Sequence, residues 1–165
     1  MKGRTNMDML LKLLSENARL TLEQLASLTG MSETEVADKM DYYQKNGIIA
    51  GYQAVVNWEK AGVDKVMSII EVRISPKRDF GFDEFAASVA RFPEVETVYL
   101  MSGGYDIHIT IHGSSFREIA MFVAKRLAPM ESVLSTATHF VLRTYKENGL
   151  VFEGNKEDER GFASL

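Results

Sequence analysis

Between Lys65 and Tyr145 the chain changes its hydrophobic period several times, and that order limits its fold more than any other feature. Residues 65–74 are rich in β-branched side chains and read as a strand. Residues 79–92 then set Phe82, Phe85, Ala86 and Val89 on one face of a helix. Residues 95–101 read as strand again, and Ser102, Gly103 and Gly104 as a turn. Residues 105–112 alternate strictly, with Ile107, Ile109 and Ile111 opposite Asp106, His108, Thr110 and His112. Ser114 and Ser115 cap a helix through Arg126, with Ile119, Phe122 and Val123 inward, and residues 133–145 form a last long strand. The order β-α-β-β-α-β predicts a four-stranded antiparallel sheet with two helices on one face, the ferredoxin-like arrangement. Its second face stays uncovered, and a mixed surface there, including Val141, predicts a partner sheet.

The preceding residues carry helical signals with written starts and stops. Asp8 opens a helix over residues 8–16 that presents Met9, Leu10, Leu13 and Leu14 on one side. Thr21 caps a second helix with Gln24 at the capping-box position, and Leu22, Leu25, Ala26 and Leu28 are expected inward. A short turn containing Gly30 leads to a third helix, capped by Ser32 with Glu35 and striped by Val36, Met40 and Tyr43. Asn46 and Gly47 end it with a left-handed residue. Two helices joined this tightly suggest helix-turn-helix, with the third helix as the one that enters the major groove. Residues 48–56 follow as extended chain, either a wing or a linker strand, and residues 57–62 as a turn or short helix.

The chain is thus expected to be α+β: a winged helix-turn-helix over 1–62, a ferredoxin-like domain over 63–147, and a mobile or partner-contacting tail over 148–165. The 165 residues contain no cysteine, which excludes disulfides and thiolate metal sites and fits a reducing cytoplasm. No signal peptide and no membrane span are legible. The formal net charge of −4 gives no general attraction to nucleic acid. Residues 1–62 hold seven Lys or Arg against eight Asp or Glu, a net of −1, so any DNA binding rests on local placement and on several copies acting together.

Leu10 to Leu14 with Asn17, Ala18 and Arg19, then Leu25, Ala26, Gly30, Met31, Ser32 and Val36, then Gly47, Ile48, Ile49, Gly51 and Tyr52 form a pattern that resembles the Lrp/AsnC family of transcription regulators. In the second half, Gly103 to Asp106 resembles that family's glycine-rich turn, and Thr136 to Lys146 its closing strand. The resemblance extends to about residue 152. It implies a DNA-binding, effector-responsive oligomer, a dimer assembling into tetramers or octamers, that takes an amino acid or related metabolite. No cofactor, metal or catalytic residue is implied. Two positions depart from the family pattern, which commonly has Arg where this chain has Lys39 and a basic residue where it has Tyr42.

On this basis the double-stranded DNA contacts are expected from Thr34, Asp38, Lys39, Tyr42 and Lys45, with phosphate contacts from Arg19, Thr21 and Ser32. Asp38 and Asp41 share the outward face with Thr34 and Lys45; carboxylates accept from cytosine N4 but repel phosphates. The effector is expected at Gly103, Gly104, Tyr105 and Asp106, with Thr136 and Thr138 approaching from a neighbouring chain. Backbone N–H groups there suit an α-carboxylate and the Asp106 carboxylate an α-ammonium group. His108 and His112, four apart on a strand and so about 13 Å apart, cannot share a metal within one chain, and together with His139 are read as interface packing. Met7, Met9, Met31, Met40 and Met67 are read as core filler. Two alternatives remain on the same build: a tetrapyrrole decarboxylase of the sirohaem type, and a metabolite-binding oligomer that has lost DNA contact.

Overall fold

The computed structural model describes residues 8–75 and 81–152. The chain divides into two compact units between Ala54 and Val55. In the first, α1 (Met9–Glu16), α2 (Leu22–Thr29) and α3 (Glu33–Lys45) enclose Leu10, Leu14, Leu25, Val36 and Tyr43. Each helix starts where the sequence places a cap. The Asp8 carboxylate accepts from the Leu10 N–H, and Thr21 with Gln24 and Ser32 with Glu35 form reciprocal capping boxes. Gly47, at φ 66°, provides the left-handed residue that releases the chain from α3.

Three apolar residues expected inward are not. Met9 and Leu28 are half exposed and Leu22 more than a third exposed. Leu28 lies beyond the narrow stripe that Leu25, Ala26 and Thr29 set, and Met9 and Leu22 occupy first turns, where a short helix has no neighbour above it. Met7 lies outside the described residues. Residues 48–56 run without a ladder partner among the described residues. Residues 57–62 form a turn closed by Ala61 N–H to Asn57 O at 3.1 Å, and belong to the second unit.

In the second unit β1 (Val66–Ile74), α4 (Phe82–Val89), β2 (Val95–Leu100), β3 (Ile107–Gly113), α5 (Phe116–Phe122) and β4 (Val133–Phe140) follow the expected order. The sheet runs β2-β3-β1-β4, all antiparallel. Ile70, Val72, Ile107, Ile109 and Ile111 point to the helices and pack with Phe85, Val89, Ile119, Phe122 and Leu127. The opposite face presents Met67, Ile69, Glu71, Arg73, His108, Thr110, His112 and His139, because strand residues alternate sides. Residues 79 and 80, the expected start of α4, lie outside the described residues.

Two boundaries differ from expectation. The helix does not continue as α to Arg126: Val123–Leu127 is a π-helical turn, with the Ala128 N–H donating to Val123 O at 2.8 Å. The last strand stops at Phe140 instead of Tyr145. β1, its partner among the described residues, starts at Val66, so the ladder runs out where the Val141 N–H bonds Met67 O. The chain then turns back as a hairpin of β5 (Lys146–Glu147) and β6 (Leu150–Val151), where a tail was expected. Asn148 at φ 45° and Gly149 at φ 84° supply the two positive-φ residues of its tight turn. Residues 153–165 lie outside the described residues.

Candidate DNA and effector sites

The outward face of α3 is acidic in fact as well as in composition. Both its cations lie beside carboxylates, Lys39 closely and Lys45 loosely. Lys39 Nζ lies 2.6 Å from Asp8 Oδ2, and Lys45 Nζ lies 3.6 Å from Asp41 Oδ2. The hydrogen bond from Lys39, followed by the nearby Tyr43 hydroxyl, holds the Asp8 carboxyl at about 2, and the same pair raises Lys39. Burial, first of all, pushes the Tyr43 hydroxyl up; that hydroxyl sits beside the pair without a well-formed hydrogen bond. Lys39 therefore fastens α3 to the start of α1. Thr34, Asp38 and Tyr42 remain exposed, Tyr42 lying edge-on to Tyr43 at 6.1 Å between centroids.

The three expected phosphate contacts separate by electrostatics. Ser32 Oγ accepts from the Glu35 N–H at 3.2 Å and donates to Glu35 Oε2 at 2.8 Å, so both its functions are occupied. Those Ser32 bonds, backbone first, lower the Glu35 carboxyl and keep it ionised, and an anion already neutralises the N-terminus of α3. At α2 the equivalent capping partner is the neutral Gln24, whose Oε1 accepts from the Thr21 N–H at 2.9 Å. The Thr21 hydroxyl keeps its proton to donate. Arg19, two residues earlier, is exposed and makes no ion pair among the described residues. The two ends thus differ at the cap itself, neutral at α2, where Glu23 is the one acid of the first turn, and anionic at α3, where Glu33 and Glu35 both stand.

In the second unit the turn of residues 102–105 is pinned to the end of β1. Asp106 Oδ2 accepts from the Ile74 N–H at 2.9 Å, and the Asp106 N–H donates to Val72 O at 3.0 Å. The Met101 N–H donates to Asp106 O at 2.8 Å, closing the turn. Half of the Asp106 carboxylate therefore serves the backbone, leaving Oδ1 for other partners. The N–H groups of Gly103, Gly104 and Tyr105 make no hydrogen bond among the described residues. Gly103 holds φ 155°, accessible to glycine and strained for other residues.

Sequence reasoning missed Arg73. Its Nε donates to Gly104 O at 2.8 Å, which ties a guanidinium to the turn that carries the free amides. The signal was present in the β1 alternation, where Arg73 follows Ile69 and Glu71 on the uncovered face.

Thr136 and Thr138 are not brought to this turn within one chain. They pair with Val72 and Ile70 and share the helix-facing side, with β1 between them and β3, a separation of about 10 Å across two strand spacings. On the uncovered face His108 lies between Tyr99 and Tyr105, at 5.9 and 6.4 Å between ring centroids. His139 Nε2 is 3.6 Å from Glu71 Oε1, and His112 Nδ1 is 2.8 Å from Glu96 Oε2. Burial lowers His112 despite Glu96. No group of three or more metal-binding side chains forms among the described residues, nor is any described helix long and apolar enough to cross a membrane.

Comparison with known proteins identifies the family and the fold. Residues 67–151 match the family described as the Lrp/AsnC ligand binding domain. An uncharacterised HTH-type transcriptional regulator of Bacillus subtilis, YugG, is 43% identical over 152 residues, 92% of each chain. A proline dehydrogenase transcriptional activator of Rhizobium radiobacter is 30% identical, covering 86% of this chain and 90% of its own. Among solved structures, a transcriptional regulator from Neisseria meningitidis in complex with L-Met superposes with a TM-score of 0.67 at 26% identity, covering 84% of this chain and 88% of that one. These relatives are regulators, which sets aside the decarboxylase alternative. The chain belongs to the Lrp/AsnC family and is a helix-turn-helix transcriptional regulator, not an enzyme.

Proposed function

We propose that this regulator binds a specific operator as an oligomer and responds to an amino acid or a closely related metabolite. The observation that carries the effector reading is the set of unpaired N–H groups at Gly103, Gly104 and Tyr105 beside the Arg73 guanidinium. Unpaired amides and a guanidinium on one turn suit a carboxylate, through charge-assisted bonds stronger than neutral ones. Asp106 Oδ1 is an acceptor for an ammonium group at the same turn. Thr136 and Thr138 would have to come from a second copy. The proline dehydrogenase activator among the relatives and the regulator solved with L-Met favour amino-acid chemistry.

For DNA, the anion-accepting pair of Arg19 and Thr21 supplies phosphate contacts, while Thr34, Asp38 and Tyr42 on α3 meet base edges. Lys39 is reassigned from DNA contact to the scaffold of the domain, Ser32 to the cap of α3, and Lys45 to a weak, solvent-screened pair that phosphate can compete for. The effector acts by binding one assembly better than another, which changes DNA affinity by the same factor that DNA changes effector affinity.

The test is fluorescence anisotropy of the purified full chain on DNA from its own upstream region, across a salt series and an amino-acid panel. Specific binding at low salt, shifted by at least one amino acid and no longer shifted after Arg73→Ala, is the expected result. A stable oligomer that binds no DNA at low salt, with or without amino acids, would mean DNA contact has been lost.

A further inference from the structure

The face of α3 turned away from the core carries carboxylates at the place where a recognition helix meets DNA. With Val36 and Tyr43 buried, a 100° step sets Thr34, Asp38, Asp41 and Lys45 within about 60° of one another on the opposite side. All four are exposed. The second helix of a helix-turn-helix lies in the major groove with such a face against base edges. Thr34 to Asp41 covers about 10 Å of helix, the length of roughly three base pairs.

The two carboxylates differ in state. Asp41 has Lys45 one turn along, at 3.6 Å. Asp38 makes no hydrogen bond and no ion pair among the described residues. Its neighbour Lys39 reaches to Asp8 at 2.6 Å. Asp38 caps nothing either: Ser32 with Glu35 closes the start of α3, and at its end Asn46 Nδ2 donates to Tyr42 O at 2.8 Å. No contact among the described residues accounts for a carboxylate at this point.

An ionised carboxylate only accepts hydrogen bonds. In the major groove guanine shows it N7 and O6, both acceptors, and thymine shows O4 and a methyl group. Adenine sets its N6 donor beside the N7 acceptor, whereas cytosine presents the N4 donor with no acceptor of its own beside it. We propose that Asp38 is a specificity-determining residue of this regulator: it accepts from the N4 amine of one cytosine in each half-site and refuses the other bases there. This role rests on the operator binding proposed above and adds the base that α3 selects. Away from that cytosine the same charge only repels DNA, so Asp38 acts in opposite directions on cognate and random sequence. A side chain that merely supported the helix would act on both alike.

The test uses the purified full chain as it assembles. Duplexes are selected from a randomised pool at low salt and sequenced, for wild type, Asp38→Asn and Asp38→Ala. Anisotropy then measures affinity for a selected and a scrambled duplex. Wild type should select cytosine at one position of the half-site. Asp38→Asn should move that position to adenine, which asparagine reads through N6 and N7, and leave the others unchanged. Asp38→Ala should flatten it, weaken the selected duplex on the order of tenfold, and bind the scrambled duplex more tightly than wild type does. Asp38 is exposed, so neither change threatens the fold. A deletion on the DNA side leaves the protein intact: 2-pyrimidinone, which lacks the N4 amine, in place of the selected cytosine should cost wild type on the order of tenfold and Asp38→Ala little. The proposal is overturned if the position is indifferent to both substitutions, if Asp38→Ala weakens both duplexes alike, or if the amine deletion costs both proteins equally. Recovery of no sequence by wild type at low salt would overturn the operator reading and this role with it. A sharp sequence that is indifferent to Asp38 overturns this role alone.

Discussion

Removing the charge from Asp8 or Lys39 tests whether α3 is held by its cation or offers it to DNA. Asp8 lies at about 2 against an ordinary value of 3.8, a difference of about 1.8 units, and at 1.36 kcal/mol per unit the unscreened figure is about 2.4 kcal/mol. The side chains of Lys39 and Asp8 are 37% and 30% exposed, so solvent screening reduces the coupling to about 1 kcal/mol. Asp8→Asn keeps an N-cap, because asparagine caps as well as aspartate, and Lys39→Met keeps the apolar stem. The double-mutant cycle, read by urea unfolding followed with far-UV circular dichroism, should then return about 1 kcal/mol for the pair alone. The sign with pH is defined. The folded-state value is depressed, so the contribution is complete above 3.8 and is lost as pH falls towards about 2. The same variants carry the functional half of the test. If Lys39 is committed to Asp8, Lys39→Met leaves the salt dependence of DNA binding where it was. A slope shallower by about 0.9, the value of one phosphate contact, together with a coupling near zero, would refute the assignment.

Four further outcomes follow from the same geometry. Glu35→Gln removes an ionised group from the start of α3 and keeps a capping-box partner, so DNA should bind more tightly, by on the order of threefold in anisotropy at low salt. Thr21→Ala should cost about 1 kcal/mol in urea unfolding and weaken DNA binding beyond what Ser32→Ala does, although both remove a cap. Gly149→Ala forces an L side chain into φ 84°, and should destabilise the β5–β6 hairpin by about 1–2 kcal/mol, seen as faster exchange of the Phe152 amide that bonds Tyr145 O. Burial lowers His112, so its contribution to stability is present above 6.5 and is lost as pH falls below it. Thermal unfolding across that range should steepen in wild type and flatten in His112→Gln.

How much of this was legible beforehand depended on whether local chemistry or the end of a partner decided each feature. Caps are local, so Asp8, Thr21 with Gln24 and Ser32 with Glu35 announce helix starts within three residues. The strict alternation of residues 105–112 gave β3 its faces for the same reason. The stop of β4 was not legible, because it is set by where β1 begins, some seventy residues earlier. The hairpin after it had a signal that was passed over: Asn148 and Gly149 are the strongest short turn pair, but their flanks lack the alternation that makes such a pair convincing. At the turn of residues 102–105 the glycines were readable and Arg73 was not, because its reach to Gly104 spans thirty-one residues. The pairing of Lys39 with Asp8 spans the same number, and composition alone could count those charges but not cancel them.

That cancellation changes what the recognition helix can contribute. Residues 1–54 hold six cations, Lys2, Arg4, Lys12, Arg19, Lys39 and Lys45, against seven carboxylates, and two of the six are already paired within the unit. One unit can therefore neutralise at most about four phosphates with its other cations, short of the six to ten contacts that make a binder lose on the order of 10³–10⁵ in affinity between low and physiological salt. Weak single contacts and a net acidic surface favour discrimination over grip, since like charge penalises every site at which the base contacts fail to form. The missing affinity must then come from valence. A second unit on the same duplex binds at a local concentration set by its tether, and gains of on the order of 10²–10⁴ need no new contact. On the function proposed above, control lies in the assembly: a ligand that alters how copies associate alters DNA occupancy steeply, although it touches no residue of α3. Measured occupancy should accordingly rise with protein concentration more steeply than a single-site isotherm, and a variant that stays monomeric should lose operator binding while its helices remain folded.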